Sequence, residues 1–359
     1  MANWRASMQQ TFEFYEVDPY SWTDKRKLTT FKSGTLVRDS GQDTLGNATF
    51  DVTEMLYEMY VRVYLVIVQN GMTEKFPLGT YLCQTPERSF SGLVSDHKLR
   101  AFTPLIELKE KSPALGYSLR RKRNILDIAN NLTAENLRAP VVNGKASSVL
   151  YEDFVANIND TWLIFLKDLL ANASHSFDLD EMGRVLFAPI QDASAMMPVW
   201  EYTDDEMSIL QPEITLDRDL YDLPNVCEVV YSSGEQTRFA RAVNKDPNSP
   251  ISTVNRGREI LYRETDPEIG GDSDAAGVIP QSHLDVYARS VLKQKSQVEF
   301  TISYTHGYCP VRVGDCVLIN YQRAGLNNVR AKVTRQSIKL EPGCPVEETA
   351  VYTQNLWED

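Results

Sequence analysis

At 359 residues the chain has room for two or three domains, and its 42% apolar and 24% charged residues are those of a packed globular protein rather than a disordered one. A formal net charge of -12 argues against nucleic acid as a bound partner, because basic patches supply most of that affinity, and against docking on an anionic membrane. The opening MANWRASMQQTFEFYEVDPY lacks the apolar core of a signal peptide, and the longest apolar stretches, 60–68 with Arg62 inside it and 162–171 with Lys167 and Asp168, are too short to span a bilayer; a soluble product made in the cytoplasm is expected.

In chain order, residues 1–23 are polar and aromatic without a clear period and read as an N-terminal arm. Strand signals dominate 24–104: SGTLVRD, the alternating ATFDVTE, the long YVRVYLVIVQNG closing on the turn pair Asn70-Gly71, and FPLGTYLCQTP between Pro77 and Pro86. Such spacing predicts a barrel or sandwich. Past Pro104 the period changes. Ile125, Leu126, Ile128, Ala129 and Leu132 have helical spacing, and two helical stripes follow, one on Leu150, Phe154 and Ile158, the other on Trp162, Phe165, Leu166, Leu169 and Leu170, with Asn157–Asp160 as the break between them. HSFDLDEMGRVLFAP then reads as a β-hairpin, so 105–204 is a small α+β domain. From 205 strands return: NVCEVVYSS, REILYRE inside the loop-rich 244–282, a short helix over 284–297, and then EFTISYTH, DCVLINYQR, NVRAKVTRQSIKL and PVEETAVYTQNLW. The expected class is α+β, with two β-barrel-like domains, 24–104 and 205–359, flanking the 105–204 domain, and an insertion at about 240–300 in the second.

Candidate chemistry is sparse. Asp178, Asp180 and Gly183 have the look of a calcium loop, but Met182 and Pro189 stand where such a loop needs an oxygen ligand and its closing Glu; the hairpin turn is the preferred reading. His306 lies three residues before Cys309, the residue types of a nucleophile pair, yet the strand-like run after Pro310 favours a structural reading. His97, His175 and His283 are isolated. Cys83, Cys227, Cys309, Cys316 and Cys344 are odd in number and irregular in spacing, and read as core residues rather than disulfide or zinc ligands. Arg120, Arg121, Lys122 and Arg123 make the dense basic run; at the start of a helix these charges oppose its dipole, and an acidic neighbour would relieve them. Gly314-Asp315 reads as a tight turn entering the strand of Cys316, Leu318 and Asn320. No catalytic, cofactor-binding or metal residue is assigned, no cofactor is expected, and the sequence has no G-x-G-x-x-G, P-loop or G-x-S-x-G.

Taken in order, VRVYLVIVQNGMTEKFPLGTYLCQTPERSFSG, LDEMGRVLFAP, LPNVCEVVYSS, NSPISTVNRGREILYRE and HGYCPVRVGDCVLINYQRAGLNNVRAKVTRQSIKL resemble the tail hub family of long-tailed bacteriophages, over roughly residues 24–350; the family includes baseplate hubs and the N-terminal hub part of tail-associated lysins, and is more distantly similar to the trunk of type VI secretion spikes. The resemblance implies a homotrimer at the virion tail tip, with two tube domains per subunit forming a ring around the DNA exit channel. It implies the distal tail protein ring, the tape measure protein and tip fibre or spike proteins as partners, and DNA that passes without specific binding. The chain stops at Asp359, just past the second β region, so the cell-wall hydrolase module of the lysins is not expected. A peptidoglycan hydrolase and a spike trunk remain the competing readings.

Overall fold

A computed structural model describes residues 2–54, 57–91, 94–144, 147–233, 236–267 and 279–357. Strands hold 47% of the residues and helices 16%, which makes the chain mostly β with an α+β character. Two compact units are present: Met1–Ile214 with Ser303–Ala350, and Thr215–Ile302 with Val351–Asp359.

The first unit opens with β1 (Gln9–Val17), so part of the expected arm is a strand. Phe14 and Val17 are its buried members, and its register against β5 (Met59–Gln69) sets Phe14 opposite Val63. β2 (Asp24–Leu28) is an edge strand whose exposed Lys25, Arg26 and Lys27 pair with Glu16 and Glu13, charges that disfavour edge-to-edge association. β3 (Phe31–Asp39), β4 (Gly46–Val52), β6 (Met72–Ser91) and β7 (Val94–Phe102) complete this region. β6 runs straight through the two prolines that were expected to bound it. Proline cannot donate to a ladder, and the strand accommodates Pro77 with a bulge: Val63 faces Gly79 while Tyr64 faces Pro77, leaving Leu78 between them.

Three helices follow. α1 (Ile106–Glu110) is a single turn. α2 (Ile125–Asn136) begins where Asn124 accepts a hydrogen bond from the Asp127 N–H at 3.1 Å, and buries the predicted Ile125, Leu126, Ile128, Ala129 and Leu132. α3 (Trp162–Ala171) is capped by Thr161 and buries six of its ten side chains, as suits a helix apolar nearly all round. The Leu150–Phe154–Ile158 stripe is not helical. Asp160 accepts from the Asn157 N–H at 2.8 Å and breaks the chain there, while β8 (Ser118–Leu119) pairs with β9 (Phe154–Val155). β10 (His175–Leu179) and β11 (Val185–Pro189) form the predicted hairpin. β12 (Trp200–Thr203) and β13 (Leu210–Arg218) close the N-terminal portion.

The second unit is a three-stranded sheet in the order β15 (Gln236–Val243), β14 (Val226–Ser233), β16 (Leu261–Thr265). One face, carrying Cys227, Val229 and Ala240, packs on Leu284, Ala288, Val291 and Leu292 of α5 (Gln281–Lys295), joined by Trp357. The expected loops of 244–282 include a short helix α4 (Thr253–Arg256) stopped by Gly257 at φ 62; part of that stretch, 268–278, lies outside the described residues.

The chain returns through β17 (Gln297–Gly307), β18 (Cys316–Tyr321), β19 (Leu326–Lys339) and β20 (Pro345–Asn355). In the first unit one sheet runs β2-β1-β5-β6-β7-β4-β3-β19, with β18 on β19 and β12 parallel to β18. The order continues through β20, β17 and β13, of which this unit holds Pro345–Ala350, Ser303–Gly307 and Leu210–Ile214. The link is β3 against β19, Asp39 opposite Arg335 through Thr35 opposite Lys339. Among the described residues no sheet closes into a barrel, which corrects the expectation of barrels within the single chain: strands from both β-rich regions share one open sheet, a pairing across some 300 positions that local spacing cannot reveal.

Candidate functional site

The hairpin turn 180–184 is where the sequence carries most of its unusual chemistry, and three arginines of the first unit fasten it. Arg62, in the middle of β5, is 1% exposed. Its guanidinium lies 2.7 Å from Asp24, donates to Thr80 Oγ1 at 2.9 Å, and reaches the carbonyls of Trp22 and Met182 at 3.2 and 3.1 Å. Trp22 Nε1 donates to the same Met182 carbonyl at 2.8 Å. Arg312 holds Glu181 at 2.9 Å, Asp178 at 3.2 Å and the Leu179 carbonyl at 2.6 Å. Arg38 stands 3.8 Å from Glu181 and donates at 2.6 Å to Leu78, whose carbonyl the bulge in β6 has released from regular pairing. The predicted hairpin turn is thus made of Asp180 accepting from Gly183 and Arg184, and Asp178 is an arginine partner rather than a calcium ligand.

Behind the hairpin lies a cleft of ≈ 310 Å³. Leu45, Phe177, Leu179 and Met196 give it apolar walls, and Arg38, Asp178, Arg312 and Asp315 give it charge. Burial pushes the carboxyls of Asp178 and Asp315 above the ordinary range, although Arg312 pulls both down. Arg312 pairs with Asp178 and Glu181, and Arg38 with Glu181, an arrangement that fixes a hairpin to a sheet. Gly183 seats it closely: φ is +73, and a Cβ there would meet Thr80 Cβ at 2.6 Å. Gly183→Ala is expected to lower stability by about 1–3 kcal/mol, and by more than Gly314→Ala, which has a similar positive φ but open space around it. Urea unfolding of the two variants makes the comparison; equal midpoints would show that the turn does not rest on Thr80.

The His306–Cys309 pair does meet in space, with Sγ 3.8 Å from Nδ1. It belongs to a sealed cluster: His306 Nε2 lies 3.4 Å from Glu348 and 3.1 Å from the Tyr202 hydroxyl, Tyr304 donates to Glu348, and Gln336 Nε2 donates to it at 2.6 Å. Burial alone would lower the His306 pKa, but the hydrogen bonds of Cys309 and Glu348 raise it to about 10. Burial pushes Glu348 up, and His306 together with the hydrogen bonds of Tyr304 and Gln336 more than reverses that, leaving it below its ordinary value. A protonated imidazole with Nδ1 2.7 Å from the Gly307 carbonyl cannot take a proton from the thiol, and His306 and Glu348 are 0% and 1% exposed. The cluster is therefore a buried ion pair and not a nucleophile. Glu348, Tyr202 and Gln336 went unnoticed in the sequence.

The remaining candidates stay apart. His175 bonds the Ala173 carbonyl, His283 sits in the first turn of α5, and His97 lies on β7. All five cysteines are buried and free; burial pushes Cys227 to about 11 and Cys344 to about 12. Among the described residues no three His, Cys, Asp or Glu side chains gather as metal ligands. Arg120–Arg123 are exposed ahead of α2, with Lys122 at φ 69. Gly314, at φ 96, forms the predicted turn, where the Asp315 carboxylate accepts the Arg312 N–H.

No family model matches the sequence, and no curated protein matches it. Solved structures do. A tail protein from Neisseria meningitidis is 12% identical, with a TM-score of 0.59 over 96% of this chain and 96% of that one. The 43 kDa tail protein of prophage MuSo2 from Shewanella oneidensis is 10% identical, with a TM-score of 0.60 over 96% of this chain and 98% of that one. A chain of the Francisella PdpA–VgrG complex is 10% identical, with a TM-score of 0.52 over 97% of this chain and 57% of that one. At such identities the likeness is one of fold, and it extends over nearly the whole length: this chain has the fold of phage tail proteins.

Proposed function

We propose that the chain is a structural hub of a bacteriophage tail, closing the distal end of the tube as a homotrimeric ring around the DNA exit channel. The observation that carries this reading is the end-to-end agreement of fold with two tail proteins, one of them from a prophage. In the assembled ring, regions 24–104 and 205–359 act as the tube domains, and 105–204 and 240–300 stand at the periphery. The single chain leaves β2 and β13 as the ends of an open sheet order; a ring allows sheets to be completed between copies, which removes edges that would otherwise invite aggregation. The distal tail ring, the tape measure protein and tip fibres or spikes are the neighbours this role requires. The channel wall is acidic or neutral, because a basic wall would hold passing DNA by counterion release, and 49 acidic against 37 basic residues supply the needed charge. Arg120–Arg123 face away from that channel.

Cross-linking and mass photometry of hub complexes released from particles should give three copies; a ring of six copies overturns the proposal. Zymography of the purified chain should show no clearing of peptidoglycan. The Francisella likeness supports a second reading as a spike trunk. Antibody labelling of tailed, DNA-filled particles separates the two: label at the tail tip supports the hub, and its absence supports the trunk.

A further inference from the structure

Residues 117–125 and 148–156 run side by side as an irregular ribbon. Tyr117 and Ala156 are hydrogen-bonded, Ser118 faces Val155, Leu119 faces Phe154, and Asn124 faces Val149. One face of this ribbon, with Leu119, Leu150 and Ile125, covers the core built on α2 and α3. Two kinds of exposed side chain lie along the ribbon. Arg120, Arg121, Lys122 and Arg123 are exposed, and among the described residues none of them forms an ion pair. On the same ribbon Tyr151 is 88% exposed and Val155 56%, with Leu115 at 84% just before it begins and Ile158 at 82% just after it ends. These four cations stand near large exposed apolar groups on a chain whose net charge is -12, and Asp153, whose carboxylate accepts the Arg121 N–H at 2.8 Å, offsets only part of their charge.

We propose that this exposed part of the ribbon is a docking surface for an acidic, amphipathic segment of a partner protein. Charge complementarity selects carboxylates, and the apolar side chains select a segment that brings aliphatic or aromatic groups with them. Contiguous exposed apolar groups rimmed by charge mark protein contact sites, and aromatic residues with Arg are the side chains that dominate such contacts. A nucleic acid fits less well. Leu115, Val155 and Ile158 offer phosphates nothing, Glu152 and Asp153 are exposed on the same ribbon, and the acidic chain repels a polyanion at long range. The proposal stands independently of the hub reading.

The test uses the full chain and fluorescence anisotropy with a short labelled peptide of Glu, Asp, Leu and Phe. Its comparators are the same peptide with Gln and Asn in place of the acids, a polyglutamate peptide and a DNA duplex. The acidic amphipathic peptide should bind most tightly, and weaken with added salt. Arg120→Glu/Arg121→Glu/Arg123→Glu should reduce its affinity by about tenfold or more, and Tyr151→Ala/Ile158→Ser by several-fold, with thermal midpoints unchanged because these side chains are exposed. No binding of that peptide, equal binding of the neutral peptide, tighter binding of DNA, or indifference to both variants would each overturn the proposal.

Discussion

Glu348→Gln is expected to destabilise the protein by about 3–5 kcal/mol near neutral pH, the cost of leaving one partner of a buried ion pair alone. Glu348 and His306 are both sealed from solvent, so screening by water does not discount the figure. The effect has a pH signature. His306 is raised from its ordinary 6.5 to about 10, so its contribution is complete below pH 6.5 and is lost as pH rises through 10. Glu348 is lowered from 4.5, so its contribution is present above pH 4.5 and is lost as pH falls through its folded value. The network is strongest between those two ordinary values. The gap between the native chain and the variant, followed by chemical denaturation, should therefore be wide at pH 6.5 and narrow toward pH 10. A gap that does not change across that range would mean that the two groups are not ionised together.

Arg62→Met should cost a similar amount, about 3–5 kcal/mol, and should act at a distance from its own strand. The substitution keeps most of the apolar length but removes the hydrogen bonds to Thr80, Trp22 and Met182. Asp24 suffers less, because it is 28% exposed and retains the Tyr64 hydroxyl at 2.7 Å. Hydrogen exchange should accelerate over 175–189, where the hairpin loses one of its three arginines, while α5 of the second unit stays protected. Arg62→Lys should fall between, since an ammonium can meet Asp24 but cannot reproduce the planar fork. Uniformly faster exchange across the chain, with no excess in the hairpin, would show that Arg62 supports the sheet alone.

The elements with a strong local period were legible. α2, α3, α5, the 175–189 hairpin and most strands follow from apolar spacing and turn residues. Two kinds of information were not. The first is pairing across long separations, which decides that β3 lies on β19 and that the sheet stays open. The second is polar chemistry hidden in an apolar phase. Val346, Glu348 and Ala350 alternate inward along β20, as do Tyr304 and His306 along β17; a carboxylate and an imidazole in those positions were the available sign of the buried pair. Arg62 gave the same sign inside YVRVYLVIV, where it looked like an interruption of an apolar run and is instead its largest fully buried side chain. The basic run at 120–123 was visible from the start, but its apolar companions were not: Ile158 appeared to belong to a helical stripe, and it is exposed in the non-helical segment that follows the ribbon.

The ladder between β3 and β19 also fixes an order of events in time. Asp39 leaves the ribosome long before Arg335, its partner, and at about 5–20 residues per second the interval is roughly 15–60 s. Throughout it β3 can be held by β4 alone, and the hairpin at 175–189 waits for the Arg312 side chain that secures it. Nascent chains of this protein thus carry an uncovered strand until Arg335 has emerged, and a hairpin that lacks one of its three arginines until Arg312 has, which makes that interval the period in which chaperone binding or misassociation has its opening.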